Sequence, residues 1–243
     1  MRLLTTLLLS TLSICGCGGG GSSSTPTTNN GNNVNTTLTF PLKKGITANV
    51  VSGISFTMTA NSTAATATTN GNCSGSGTFN RGQPTSSTFM NQSALTTTFL
   101  LTMSFTNCNP SIFSQTNQYY YDTNYNSLGQ KDAATGEISI FENIPNIPAN
   151  VRVGDVINVG IMNDFSDNTL KYKTGYSQMT MVIEQDTSNT AIVNKVIKAY
   201  DARGALKTTG SERSRIDLNG NLSVISMDIQ NANYPYFHLV LRR

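Results

Sequence analysis

The sequence predicts an all-β fold, as an antiparallel meander, a sandwich or a partial barrel, and three observations carry that prediction. Thr, Asn and Ser are the commonest of the 243 residues, with Val and Ile spread among them, a mixture that suits pleated strands and tight turns better than helices. Stretches of period-two apolar alternation recur along the chain. Clusters of Asp, Asn and Gly separate those stretches about every dozen residues, as hairpin turns require. The length leaves room for one large β domain or two small ones.

Charge narrows what such a domain could do. Charged residues make up 12% of the chain and the net charge is +3, too weak a field for a dedicated nucleic-acid partner. Trp is absent and His occurs once, so aromatic stacking platforms and multi-histidine metal sites are poorly supplied. No cofactor is expected.

The first element is a leader. Arg2 gives it a positive start, and Leu3 to Ile14 form an apolar run. That run matches the roughly 7–15 residues of a secretory signal and falls short of the ~20 needed to span a bilayer. Two cysteines follow one residue apart, in the box Ile14-Cys15-Gly16-Cys17. This box resembles the lipobox of bacterial lipoproteins, with an aliphatic outer position, a tolerant middle and a small residue before the lipidated cysteine. Cys17 fits as acceptor because Gly16 precedes it; Cys15 would put Ile14 at the cut.

The resemblance implies cleavage between Gly16 and Cys17, a thioether-linked diacylglycerol on Cys17 and acylation of the new amino terminus by a fatty chain such as palmitate. Several chains hold a protein firmly to a membrane, at ~0.8 kcal/mol per buried methylene, where one chain holds marginally. Gly18, not Asp, follows Cys17, and within that family this points to the outer membrane, facing either the periplasm or the surface. The predicted address is a lipid-anchored place in the cell envelope.

Residues 17–37 then read as the lipidated cysteine and a linker of Gly, Ser, Thr and Asn without apolar periodicity. Such a segment cannot bury enough surface to offset its ordering entropy, so a flexible tether with a reach of roughly 25 Å is predicted. Composition divides the remainder. Residues 38–116 are Thr/Ser-rich and almost uncharged, whereas 117–243 hold all 13 acidic residues. In the first part, Ile54, Phe56 and Met58 alternate, as do Leu95, Thr97, Phe99, Leu101, Met103 and Phe105. The region between these two is read as turn material with at most a short strand at Gly77 to Asn80. In the second part, strands are predicted at 119–122, 137–141, 155–161, 176–184, 190–200, 222–229 and 236–242. The 190–200 segment has a competing helical spacing at Ile192, Val196 and Ala199, which its β-branched residues outweigh.

An even pair of cysteines in an exported protein reads as a disulfide. With Cys15 removed and Cys17 lipidated, Cys73 and Cys108 remain. A bridge closing their loop would contribute roughly 3–4 kcal/mol by loop entropy.

Candidate sites are few. Gly71 to Gly75 places Cys73 where a nucleophile elbow would hold it, but such an elbow needs a helix after it and none is predicted; a hydrolase using Cys73 is the weakest reading. Asp122, Asn124 and Asn126 begin like a calcium loop, yet Ser127 stands at the required glycine and Ala133 at the required glutamate. A hairpin is the better reading there. His238 has no second histidine to share a metal with and is predicted to face solvent. No catalytic residue is assigned. A local excess of tyrosine (Tyr119, Tyr120, Tyr121, Tyr125, Tyr172 and Tyr176) suits either strands or a recognition surface.

The sequence as a whole resembles β-rich envelope lipoproteins of Gram-negative bacteria, a resemblance that brings no activity with it. A structural or binding role on a membrane, held through Cys17, is the leading expectation. The alternative is a carrier of acyl chains or another apolar ligand. Envelope-transport lipoproteins use an incomplete barrel for this task. Met179, Met181, Ile183, Met227 and Ile229 could line such a barrel, because methionine repacks easily around varied shapes.

Overall fold

The structure, a computed structural model, describes residues 37–63, 73–106, 111–231 and 238–243. Cys15, Gly16, Cys17 and the segment expected to be a tether, apart from its last residue, lie outside the described residues, as does Cys108. One helix, α1 (Leu42–Ser52), is followed by thirteen strands. They are β1 (Ile54–Thr63), β2 (Cys73–Arg81), β3 (Thr85–Phe89), β4 (Gln92–Thr106), β5 (Ile112–Tyr121), β6 (Ser127–Asp132), β7 (Ile138–Phe141), β8 (Val156–Phe165), β9 (Lys173–Gln185), β10 (Thr190–Asp201), β11 (Leu206–Asp217), β12 (Leu222–Asn231) and β13 (His238–Arg242).

Strands from β4 to β13 pair with their sequence neighbours, each antiparallel, so hairpin chemistry builds most of the wall. Asp is the recurrent turn residue. Asp201 Oδ1 accepts from the amides of Arg203 and Ala205, both at 2.9 Å, and Asp217 Oδ1 does the same for Asn219 and Asn221. These bonds satisfy turn amides that have no ladder partner, as Asx turns do.

Two long-range pairings then close the wall. β1 lies between β13 and β2, and β2 also pairs with β4, from Ser74↔Thr106 to Arg81↔Phe99. Twelve strands thereby form a closed antiparallel barrel. β3 continues the line of β2 along the same edge of β4, its Thr85 opposite Thr96. The expected partial barrel is thus corrected to a closed one. Closure removes the free edges that an open sheet would expose.

Polarity runs apolar-in and polar-out. Along β9, Ser177, Met179, Met181 and Ile183 face inward, while Gln178, Thr180, Val182 and Glu184 face outward. Thr96, Thr98, Thr102 and Ser104 line the outside of β4, and Lys207, Thr209, Arg213 and Arg215 the outside of β11. A barrel that spans a bilayer needs an apolar outer band and tolerates a polar lumen; this wall has the opposite arrangement. No helix among the described residues is long and apolar enough to cross a membrane.

Several strands and one helix depart from the sequence reading. The Gly/Ser-rich segment expected to be turns carries all of β2 and β3. Gly75 and Gly77 are required there, since a Cβ on Gly77 would stand 2.0 Å from the Thr102 carbonyl oxygen. β6 and β11 were not expected either. α1 forms despite its β-branched residues, with Pro41 at its start and Gly53 (φ 69°) at its end. The 190–200 segment is a strand, as its β-branched content predicts. The boundary in composition at 116/117 falls inside β5.

The disulfide expectation is corrected too. No disulfide joins any described residues, and the segments it was to clamp are tied instead by the hydrogen-bonded β2–β4 ladder.

Candidate functional site

The interior of the barrel is the site, and its two ends differ. At the end where β1, β6, β8, β10 and β12 begin, α1 lies across the opening. Ile46 belongs to the apolar cluster that holds Met181, Ile183 and Leu222, whereas Val50 belongs to the one that holds Phe56, Tyr121 and Val224. The helix therefore bridges the two apolar clusters of the barrel. Polar bonds fix it on opposite sides of the ring: Asn49 Nδ2 donates to the Leu222 carbonyl (3.0 Å), Arg81 Nη2 to the Asn49 carbonyl (2.9 Å), and Lys43 Nζ to Asn126 Oδ1. Gly45 permits the approach, since a Cβ there would lie 2.6 Å from the Gly220 carbonyl oxygen. Reciprocal backbone bonds between Phe40 and Val151, at 2.8 and 2.9 Å, bring the β7–β8 connection over the same end. That end is plugged.

Within the barrel, apolar residues form two clusters rich in methionine. Six of the eight methionines (Met58, Met103, Met162, Met179, Met181 and Met227) are buried in them. The five residues read from the sequence as a ligand-facing wall, Met179, Met181, Ile183, Met227 and Ile229, all point inward and are buried. Phe56, Phe79, Phe99 and Tyr119 form a continuous chain of ring contacts on the other side. Met–aromatic surfaces of this kind adapt to shape more readily than branched aliphatic ones.

Toward the opposite end the interior wall turns polar. Asn117 stands opposite Asp132 across β5–β6, Gln130 opposite Ser139 across β6–β7, Ser139 opposite Asp164 across β7–β8, and Asp164 opposite Gly175 across β8–β9. Directly opposed residues share a face, so these side chains form one inward band over five strands. Gln115, Asn117, Gln130, Asp132, Ser139 and Ser177 are all buried. Farther round, Lys195 and Glu212 are cross-strand neighbours and equally buried.

The band is only partly satisfied from within. Gln115 Nε2 donates to Asn117 Oδ1 at 3.4 Å, and Asp132 Oδ1 accepts from the Ala134 and Thr135 amides at 2.7 and 2.6 Å. Gln115 Oε1, Asn117 Nδ2, Asp132 Oδ2, Asp164 Oδ1 and Ser177 Oγ are buried with no hydrogen-bond partner among the described residues. Each such atom costs about 1–3 kcal/mol if nothing answers it, and a native structure carries few of them.

Burial pushes the Asp164 carboxyl up to about 6; a hydrogen bond from Ser139 opposes the rise, Glu137 adds to it and Lys173 counters it. The Glu137 carboxyl is also raised, by burial first and then by Asp132, against a hydrogen bond from Thr135. Burial likewise lifts the Tyr119 phenol well above its ordinary range, with Tyr121 adding to the rise and the neighbouring Asn117 amide opposing it. Glu137 thus sits within electrostatic reach of both Asp132 and Asp164 near the mouth.

The other residues singled out from sequence are placed as follows. Cys73 opens β2 and continues into strand, without the strand-to-helix turn an elbow needs. Asp122 Oδ1 accepts from the Asn124 and Asn126 amides, both at 2.8 Å, and Asn126 Nδ2 donates to Asp122 Oδ2, which makes this loop a hydrogen-bonded hairpin turn. No group of three or more His, Cys, Asp or Glu side chains among the described residues could hold a metal ion. His238 lies on the outer face, 2.8 Å from Asp228 Oδ1. The tyrosines separate: Tyr119 and Tyr121 face the interior, Tyr120 stacks on Phe89 outside, Tyr176 stacks on Tyr200, and Tyr172 is exposed. Sequence reasoning missed the polar band altogether, since nothing marks Asn117, Gln130 and Asp132 as inward-facing until the wall closes around them.

These features define a class: a closed antiparallel barrel, plugged at one end by a helix, with a methionine-rich interior and a polar inner band near the other end. No family model matches the chain, and no curated protein or solved structure matches it either.

Proposed function

We propose that the protein is a lipid-anchored carrier of the bacterial envelope whose barrel holds an apolar chain. The observation that carries this reading is the inward position of six methionines inside one closed wall. A purely architectural barrel gains most from side chains with few rotamers, whereas methionine specifies its packing loosely. The ligand would enter at the end opposite α1, because α1 and the β7–β8 connection cover the other.

The Cys17 lipid would hold the barrel at the outer membrane, and the segment between Cys17 and residue 37 would let it reach its partners. The polar outer wall supports this arrangement, since it suits a domain held beside a bilayer by its lipid and not one embedded in it.

Native mass spectrometry of the full chain, extracted from membranes and released from detergent, tests the reading. The expected result is an additional mass corresponding to an amphiphile, exchangeable with added acyl-chain lipid. Protein that stays at its bare mass after incubation with such lipids would refute it.

A further inference from the structure

The polar band has a chemical sense that the apolar interior alone does not supply. Of its partnerless buried atoms, Gln115 Oε1, Asp132 Oδ2 and Asp164 Oδ1 are acceptors, Ser177 Oγ can act either way, and only Asn117 Nδ2 is purely a donor. The residues themselves are deeply enclosed: Gln115, Asn117, Asp132 and Ser177 are each at most 3% exposed. The band is therefore acceptor-rich, and it carries two carboxylates with a third, Glu137, beside them.

Such a lining asks for a cation that donates hydrogen bonds. A hard metal ion fits poorly, because it wants six to eight oxygens around it and no three acidic side chains among the described residues gather to hold one, whereas an ammonium is answered by one carboxylate and a few further acceptors. An ammonium group has three donors and no acceptor. Small residues keep the wall low at this place: Gly175 faces Asp164, Ser139 faces Asp164 from the other side, and Ser177 faces Met162. Gly175 cannot be enlarged, since a Cβ would stand 2.4 Å from the Tyr200 carbonyl oxygen. The Ser177–Met162 pair also marks where polar lining meets the methionines, so a head held in the band would leave its chain against the apolar wall.

We propose that the band forms a recess inside the barrel in which Asp164 and Ser177, diagonal neighbours on adjoining strands, bind the ammonium head of an amphiphile, while Asp132, Asn117 and Gln115 extend the acceptor-rich lining beside it and the chain lies along the methionine-lined wall. This rests on the carrier reading, whose chain-binding half it extends. The head is a primary ammonium, borne either by a free alkylamine or by an ethanolamine-type lipid.

The test uses the full lipidated chain in phosphatidylcholine nanodiscs, with calorimetric titrations corrected against empty discs. The probes are n-hexylammonium, n-hexanol and ethylammonium, and then the dihexanoyl forms of phosphatidylethanolamine and phosphatidylcholine. Hexylammonium is expected to bind at least tenfold more tightly than hexanol. Asp164→Asn should remove most of that preference and Asp132→Asn, with β7 between it and the Asp164 strand, a smaller part of it, both leaving hexanol unchanged. Asn at 132 keeps an oxygen for the Ala134 and Thr135 amides, and Asn at 164 keeps an acceptor for Ser139, so both variants should fold. Loss of amine binding in an Asp164→Asn protein that is no less stable than the parent would exclude damage to the fold as the cause.

Equal binding of hexylammonium and hexanol would overturn the recess and leave the carrier standing. Ethylammonium binding as tightly as hexylammonium would support the recess and overturn the carrier. No binding of any probe would overturn both. A preference for the ethanolamine lipid over the choline lipid, which has no N–H to donate, would support the recess and assign the head to a lipid; no preference between them, with hexylammonium bound, would support it and assign a free amine.

Discussion

Asp164→Asn should make the barrel more stable at neutral pH. In the folded protein the Asp164 carboxyl titrates at about 6, against an ordinary 3.8. Between those values the native state keeps a proton that the unfolded chain has released, so stability falls as pH rises through this window and then levels off. A displacement of about two pH units corresponds to about 3 kcal/mol at 1.36 kcal/mol each. Because Asp164 is partly exposed to solvent, screening lowers the expected effect to roughly 1–2 kcal/mol. Asparagine removes the charge and keeps a carbonyl to accept from Ser139. Urea denaturation followed by circular dichroism at pH 4, 5, 6 and 7.5 would measure it. The parent should lose stability across that series, Glu137 adding a slope of the same sign because its carboxyl is raised too. The variant should match the parent at pH 4 and exceed it at pH 7.5. A variant less stable than the parent at pH 7.5, or a parent whose stability rises between pH 4 and 6, would refute the raised carboxyl assigned to Asp164.

Three further expectations follow from the packing and the leader. Gly77→Ala forces a Cβ toward the Thr102 carbonyl and the Met103 sulfur, so the β2–β4 seam should weaken by about 1–3 kcal/mol; an unchanged urea midpoint would argue against closure at this seam. Gly45→Ala would stabilise an ordinary exposed helix by about 1 kcal/mol, yet here it should lower the melting temperature, because the added methyl meets the Gly220 carbonyl oxygen. Cys17→Ala should abolish radiolabelled palmitate incorporation and move the protein from the detergent phase to the aqueous phase; unchanged partitioning would remove the anchor from the account of location.

How much of this was legible in the sequence depends on whether a strand's inner face is built from its own residues or borrowed from its neighbours. β4, β9 and β12 announce themselves, since Phe99, Leu101 and Met103, or Met179, Met181 and Ile183, alternate with Thr, Gln and Ser. β2 does not. Its inward positions include Gly75 and Gly77, which are small because Phe105 and Met103 of β4 fill the space above them. Only the pairing explains the composition, and the partners lie far off in sequence, 26 residues from Gly77 to Met103 on one side and 19 from Gly77 to Met58 on the other. β11 is hidden for a related reason: its inner face carries Thr208, Gly210, Glu212 and Ser214, a list with no apolar alternation to detect. α1 is held by where Ile46 and Val50 dock, and it has no side-chain cap to mark its start.

The candidate site follows the same logic one level up. The methionine wall was legible because alternation assigns Met179, Met181 and Met227 to one face whatever the topology turns out to be. The polar band was not, because Asn117, Asp132 and Ser139 carry opposite meanings in an open sheet and in a closed barrel. On the solvent face of a meander they would be ordinary hydrated side chains. Once β1 joins β13 and β2 joins β4, the same face becomes the inside of a vessel. Its polar atoms then either find partners or carry an energetic penalty. Gln115 Oε1, Asp132 Oδ2 and Asp164 Oδ1 have none among the described residues. Closure is therefore what turns three unremarkable hydrophilic positions into a specific demand for a hydrogen-bond donor, and under the proposed carrier reading it is why a ligand's head, more than its chain, should govern selectivity.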